Sequence, residues 1–216
     1  MSIKIGLSGN RYSGKSRVSK VFKQIGIPVF EADVILKFIL SHNYELQYLI
    51  SDKIGSSYFI DGSLNYDKVK RDGVFSKILN IVEDDLFKAW EKFQEKNNKS
   101  IYFIFKSSIL FESGWNEKMD LNISVFAPYS DRIDRCKNLT RQTTATIYNL
   151  TKSEMCELDK NNLSDYVIHN YDEDSPFGDV LTQVNLIDKK IIDDYLRDNM
   201  SDKEDLNKNM IYDSNL

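Results

Sequence analysis

A glycine-rich turn behind a short apolar run constrains the fold of this 216-residue chain more than any other feature. The run extends from Ile3 to Leu7, and residues 9–16 follow it with the spacing G-x-x-x-x-G-K-[ST]. The two glycines of this pattern, Gly9 and Gly14, let the backbone turn sharply and approach an anion where a Cβ atom would collide. Apolar residues then recur at helical spacing from Val18 to Ile25. This order of strand, turn and helix predicts a phosphate-binding loop.

The residue types of the loop match the chemistry of a nucleotide. Backbone N–H groups would surround the phosphates, and the helix that starts near Lys15 would point the positive end of its dipole at them. The Lys15 ammonium would reach the β and γ phosphates, and the Ser16 hydroxyl would hold Mg²⁺. A fortuitous glycine-rich turn is the alternative. The predicted nucleotide-binding residues are Gly9, Asn10, Arg11, Tyr12, Ser13, Gly14, Lys15 and Ser16.

Composition excludes several other classes of protein. The formal charge is −4, with acidic and basic residues mixed along the chain, so no general attraction to nucleic acid or to an anionic membrane is expected. No apolar stretch approaches the roughly 20 residues of a membrane helix, and no signal-like run follows Met1. Cys136 and Cys156 show no metal-ligand spacing. We expect a cytoplasmic protein that is a monomer or a weak homo-oligomer.

Short apolar runs alternate with helical patterns along the chain. This alternation predicts an α/β fold of three layers, with a five-stranded parallel sheet covered on both faces and ligands at the carboxyl ends of the strands. Residues 66–98 carry helical recurrences among many charges, whereas residues 129–152 are polar and are expected to be a mobile segment. After the first strand, the predicted strands are Pro28–Glu31, Ile101–Phe105, Leu121–Phe126 and Tyr166–Ile168.

Several further motifs occur in an order and at distances that resemble the dephospho-coenzyme A kinase family. The opening Ile-Gly-Leu-Ser-Gly is similar to the start of that family, and the resemblance extends over residues 1–197. The other motifs are Glu31-Ala32-Asp33, Asp61-Gly62-Ser63-Leu64 with Val74-Phe75, Ile109-Leu110-Phe111-Glu112, and Asp165-Tyr166-Val167-Ile168-His169-Asn170.

The resemblance implies a P-loop kinase of the nucleoside-monophosphate-kinase group. Such an enzyme transfers the γ-phosphoryl group of ATP, with Mg²⁺, to the ribose 3′-hydroxyl of dephospho-coenzyme A. We expect one kinase domain over residues 1–200, and the polar composition of residues 201–216 predicts a frayed tail after it. The core would comprise residues 1–57, 99–135 and 160–200, with a helical acceptor-binding insertion at about 58–98 and a lid at about 136–159.

The resemblance also implies roles for individual residues. Asp33 would face the acceptor hydroxyl as the catalytic carboxylate and share the Mg²⁺ site with Ser16, although an aspartate here is also typical of a helix cap. Arg135 and Arg141, with Arg132 nearby, would be lid arginines over the phosphates, or else belong to a solvated helix face. Glu112 would organise water around the metal or a substrate group, or would be a solvated turn residue. Asn170 matches a position near the adenine pocket.

The departures from the family pattern all lie on the acceptor side. Asn65-Tyr66 stands where the family has Asp-Arg, Val82-Glu83-Asp84 lies near the place of a His-Pro pair, and Ser108 replaces a proline. Three hypotheses therefore stay open. The chain is a dephospho-coenzyme A kinase with a remodelled acceptor pocket, a kinase for nucleoside or deoxynucleoside monophosphates, or a non-catalytic ATP-binding protein.

Overall fold

The computed structural model describes residues 2–141, 143–152, 154–171 and 178–213. Its strands are β1 (Ile3–Ser8), β2 (Val29–Glu31), β3 (Phe59–Ile60), β4 (Ser63–Leu64), β5 (Tyr102–Lys106), β6 (Leu121–Phe126) and β7 (Tyr166–His169). Its α-helices are α1 (Lys15–Gln24), α2 (Ala32–His42), α3 (Tyr44–Lys53), α4 (Tyr66–Arg71), α5 (Phe75–Lys96), α6 (Tyr129–Thr140), α7 (Thr144–Thr151), α8 (Glu157–Asn162) and α9 (Val180–Asp213).

The described residues form a five-stranded sheet in the order β2-β5-β1-β6-β7, in which every pair is parallel. Each sequence-predicted strand lies within one residue of the observed one, and the predicted α/β class is confirmed. Since β1 is the central strand, the loop that follows it emerges at the middle of the carboxyl edge. The turn at Asp61-Gly62 joins β3 to β4 in a small antiparallel hairpin outside this sheet.

The sheet divides the buried interior into two clusters, as three layers require. Along β5, Tyr102 and Ile104 pack with α1 and α9, whereas Phe103 and Phe105 pack with α2, α3 and α5. This alternation places every second side chain on the opposite face of a strand. Continuous apolar runs are typical of parallel strands buried on both faces, which explains why the strands could be predicted from the sequence.

Helix α5 contributes to the layer that covers the sheet. The Trp90 ring contacts Phe30, Phe103 and Phe105, with ring centroids 5.1, 5.2 and 5.1 Å away. Offset and edge-on aromatic contacts of this kind stabilise a core beyond the area they bury. Phe75, Ile78 and Val82 belong to the same buried cluster as Trp90, so α5 joins the core along its length, and the helical acceptor-binding insertion at about 58–98 stays a prediction.

Two polar segments are more regular than the sequence indicates. Residues 129–152, expected to be a mobile polar segment, contain α6 and α7; α6 buries Arg132, Ile133 and Cys136, and the last two pack with Ile147. Helix α9 continues to Asp213, so the segment expected to fray is helical up to that residue. Neither glycine nor proline interrupts α9. Within the described residues, no helix combines the length and the apolar content that crossing a membrane requires.

Candidate active site

The glycine-rich loop lies between β1 and α1 and is packed tightly on both sides. Gly9 and Gly14 have φ angles of 150° and 100°, which L-residues with side chains rarely adopt. A Cβ atom on Gly9 would lie 2.5 Å from the Val125 carbonyl oxygen, and one on Gly14 would lie 1.8 Å from Asn170 Nδ2. Only glycine fits at either position, so the predicted turn is confirmed.

Lys15 begins α1 and folds back across the loop. Its ammonium group donates hydrogen bonds to the carbonyl oxygens of Gly9 and Asn10, the second at 3.0 Å. These two hydrogen bonds hold the lysine side chain against the loop, beside the N-terminus of α1. A helix N-terminus is a favourable place for a phosphate group. A bound phosphate would compete with these carbonyls for the ammonium.

Asn170 and Arg135 both donate hydrogen bonds to backbone carbonyl groups of the loop. Asn170, which is buried, donates from Nδ2 to the Ser13 carbonyl at 2.7 Å and accepts from Arg17 at 3.2 Å. Arg135 donates to the carbonyls of Tyr12 at 3.2 Å, Ser13 at 3.3 Å and Asn170. The guanidinium group of Arg135 therefore contacts the loop backbone, and its predicted place over the phosphates stays a prediction.

Arg132 joins the same loop to the segment around α8. It is buried and donates to the Arg11 carbonyl at 3.0 Å, with ion pairs to Glu154 at 3.5 Å and to Glu157 at 2.5 Å. Glu154 in turn accepts from the Arg11 N–H group at 3.0 Å. Burial raises the pKa of Glu157 above its ordinary value and outweighs the lowering effect of the Arg132 charge.

Arg141 lies elsewhere. It is exposed, has a φ angle of 56° and ends α6 in the left-handed conformation. The structure thus brings Arg132 and Arg135, but not Arg141, into contact with the loop. Arginine is the residue expected over transferring phosphates, and which of the three serves there stays a prediction.

Asp33 lies in the first turn of α2, and its carboxylate points to the segment that follows the carboxyl end of β5. Its Oδ2 accepts from the Ser108 N–H group at 3.1 Å and its Oδ1 from the Ser108 hydroxyl at 3.3 Å. The N-cap position of α2 is Glu31, so the alternative that Asp33 caps this helix is wrong. Ser108, noted in the sequence as a departure, positions Asp33.

Asp33 and Lys15 line one cleft of about 340 Å³ beside the loop. The Tyr66 ring lies in its wall, 4.9 Å from the Lys37 ammonium. Burial, with the negative charge of Asp33, raises the pKa of Tyr66 well above its ordinary value, so the phenol stays neutral. Sequence reasoning missed Lys37, although its place four residues after Asp33 puts both on one face of α2. The remaining lining residues are Arg11, Tyr12, Phe75, Ser108 and Glu154.

Glu112 borders an adjoining cavity of about 130 Å³ that it shares with Ser108 and Glu154. Its Oε1 lies 2.8 Å from the ammonium of Lys160, which is buried, and accepts from the Met155 N–H group at 3.2 Å. Glu112 is therefore not a solvated turn residue. Nothing in the sequence pattern marks Lys160, because its pairing depends on a contact 48 positions away, from 112 to 160.

The predicted metal ligands, Ser16 and Asp33, meet a competing cation. The Lys106 ammonium donates to the Ser16 hydroxyl at 3.3 Å and lies 3.2 Å from Glu31 Oε2. Among the described residues there is no cluster of three or more histidine, cysteine, aspartate or glutamate side chains suited to a metal ion. This arrangement does not fit a divalent cation, because the hydroxyl already faces an ammonium group and Asp33 is bonded to Ser108.

A central parallel strand, a glycine-rich loop and a lysine at the first turn of the following helix define a P-loop protein of the kinase type. The chain matches the family model described as dephospho-CoA kinase over residues 3–175. It belongs to the dephospho-CoA kinase family. The resemblance stated from the sequence is confirmed, and with it the class of ATP-dependent phosphotransferases.

Individual relatives agree with this assignment. The dephospho-CoA kinase of Bacteroides fragilis is 24% identical over 196 residues, which cover 88% of this chain and 96% of the relative. Among solved structures, a Thermus thermophilus protein superposes with a TM-score of 0.69 at 20% identity, covering 89% of this chain and 97% of that one. Dephospho-CoA kinase from Campylobacter jejuni gives a TM-score of 0.55 at 20% identity, covering 88% and 98%. These structures share the fold.

Proposed function

We propose that this chain transfers the γ-phosphoryl group of ATP to the ribose 3′-hydroxyl of dephospho-CoA, a step of coenzyme A biosynthesis. The observation that carries the proposal is the single cleft lined by both Lys15 and Asp33. A donor phosphate bound at the loop and an acceptor hydroxyl beside Asp33 would meet in that cleft. Membership of the family supports dephospho-CoA as the acceptor.

The chain's own residues supply positioning and charge stabilisation. The loop N–H groups and Lys15 would bind the phosphates and stabilise the charge that develops on the transferring group. The Asp33 carboxylate, oriented by Ser108, would accept a hydrogen bond from the acceptor hydroxyl and aim its oxygen at the phosphorus atom. Glu112 would act on the acceptor side through the adjoining cavity.

Other parts of the assignment stay predictions. The resemblance implies Mg²⁺ together with ATP, but the Ser16 hydroxyl that would hold the metal ion faces the Lys106 ammonium group. The lid role of Arg135 and Arg141 and the adenine-side role of Asn170 are proposals. So are location in the cytoplasm, the monomeric or weakly oligomeric state and the absence of nucleic-acid partners.

The cleft also favours a second acceptor class. The Tyr66 ring stands where the family has an arginine, and Lys37 supplies a positive charge beside it. An aromatic face next to a cation can hold a base and a phosphate, as a nucleoside monophosphate would require. Phosphorylation of nucleoside or deoxynucleoside monophosphates is therefore the alternative.

Incubation of the purified chain with ATP, Mg²⁺ and a panel of acceptors tests both functions. The panel comprises dephospho-CoA and the common ribo- and deoxyribonucleoside monophosphates, with ADP release as the rate and mass spectrometry of the product as its identity. We expect coenzyme A from dephospho-CoA alone. Products from the monophosphates alone would replace the first proposal by the second. ATP binding without any product would identify a non-catalytic protein. Lys15→Ala is the control: any activity that remains in this variant measures contaminating kinases.

A further inference from the structure

Lys106 occupies the point where the site's two halves meet. It is the last residue of β5, and the register of that strand places it opposite Leu7 of β1 and opposite Glu31 of β2. Its ammonium group donates to Ser16 Oγ at 3.3 Å and pairs with Glu31 Oε2 at 3.2 Å, with only 11% of the side chain exposed. The strand geometry, and not a flexible surface position, brings this cation to the loop.

The Ser16 hydroxyl is the loop group that would hold Mg²⁺ in a P-loop protein. An ammonium group that donates to this oxygen points a positive charge at the space where a metal ion would bind. Two cations a few ångströms apart in a partly buried site repel each other strongly. Metal binding at Ser16 would therefore require Lys106 to leave both of its partners.

Glu31 holds Lys106 in place, but Lys106 is not the only cation paired with Glu31. Its other oxygen pairs with Lys23, an exposed residue of α1. Partial burial acts to raise the pKa of Glu31, but the hydrogen bonds and charges of Lys23 and Lys106 outweigh it and keep that pKa below its ordinary value. Glu31 thus stays ionised, and it keeps a partner when Lys106 turns towards a phosphate.

We propose that the Lys106 ammonium takes the place of the metal ion beside Ser16, so that the chain binds the triphosphate of ATP without requiring Mg²⁺. Together with Lys15 it gives the loop two ammonium groups that can donate to phosphate oxygens. The inference rests on the proposed function only in taking ATP as the nucleotide, and it concerns binding, which needs no acceptor.

Titration of the full chain with a fluorescent ATP analogue, in EDTA and in millimolar Mg²⁺, tests the inference. For the unaltered chain we expect dissociation constants that agree within about threefold between the two conditions. Lys106→Met removes the charge and keeps the apolar stem, and we expect it to weaken binding in EDTA by about tenfold or more. Lys23→Met is the matched control, because it removes the other partner of Glu31 without approaching Ser16, and it should bind as the unaltered chain does.

Lys106→Asp supplies the opposite test. A carboxylate beside Glu31 and the Ser16 hydroxyl forms a set of hard oxygen donors that repel each other unless a cation is present. Binding by this variant should depend strongly on Mg²⁺. Circular dichroism and urea unfolding of each variant establish that it is folded.

Three results would overturn the inference. They are binding by the unaltered chain only when Mg²⁺ is present, absence of binding in both conditions, and unchanged binding by Lys106→Met in EDTA. A failure of the acceptor assay leaves these measurements intact, so the two proposals fail separately.

Discussion

The Asp33 carboxylate is oriented by a residue 75 positions away in the chain, since both of its hydrogen-bonded oxygens are held by Ser108. Such an arrangement leaves little freedom for the carboxylate to rotate. An acceptor hydroxyl that approaches along the cleft would meet an oxygen atom already fixed in direction, which is what a transfer dominated by positioning requires.

Replacement of Asp33 by asparagine should lower kcat by about a hundredfold or more, because the amide keeps the shape of the side chain but accepts a proton far less readily. Ser108→Ala is the companion variant, since it removes only the hydroxyl contact to Asp33 and should cost much less. Initial rates of ADP release at saturating ATP and acceptor measure both effects. A loss below about tenfold for Asp33→Asn would leave Asp33 without a part in proton transfer.

Gly14→Ala should destabilise the fold and abolish nucleotide binding, because the new Cβ atom would displace the buried Asn170 amide from the Ser13 carbonyl. Gly26→Ala is the matched control. Gly26 also has a positive φ angle, of 89°, but nothing lies within 4 Å of its Cβ position. Urea unfolding should give a loss of about 1 kcal/mol for Gly26→Ala from backbone strain alone. Gly14→Ala should lose about 2 kcal/mol more through the broken buried hydrogen bonds. Equal losses would show that Asn170 does not hold the loop.

At the scale of elements, α6 supports the loop through a buried guanidinium group. Arg132 carries two carboxylate partners and one loop carbonyl, so its removal would take away the cation paired with both Glu154 and Glu157, whose charges repel each other. Arg132→Met should lower the free energy of unfolding by about 3 kcal/mol, as loss of one partner from a buried ion pair does. Arg141→Met, at the exposed end of the same helix, should change it by about 0.5 kcal/mol or less. Chemical denaturation of both variants decides the matter, and similar values for the two would contradict a buried role for Arg132.

The sequence predicts the five strands of the sheet and the loop because their signals are local: apolar runs and a spacing of glycines. It does not predict α6 and α7, because the segment has few large apolar residues and α6 buries Arg132, which hydropathy treats as a surface residue. Lys106 and Lys160 escape prediction for a different reason: their partners Glu31 and Glu112 are brought close only by the tertiary fold. The acceptor side is the least predictable part, because its residues depart from the family pattern.

At the scale of the whole molecule, the two halves of the site belong to opposite faces of one sheet. Lys15 begins α1, which packs in one buried cluster, whereas Asp33 lies in the first turn of α2, which packs in the other. The register between β1, β5 and β2 sets the distance between them, and Lys106 lies at the end of the strand that joins them. Geometry at the site is thus tied to the packing of both cores, so global stability and activity should respond together to changes in the sheet.

His169, at the end of β7, makes that global stability depend on pH. Its ring packs against Phe126 and Tyr171, and burial lowers its pKa below the ordinary value of 6.5, since the charged form is poorly solvated there. When the pH falls through 6.5, the unfolded chain takes up the proton first, so the free energy of unfolding decreases until the folded-state pKa is reached. Urea unfolding from about pH 7.5 to about pH 5.5 should therefore show a steeper loss for the unaltered chain than for His169→Phe, which keeps an aromatic ring without a titrating group. Parallel pH profiles for the two chains would refute this role of His169.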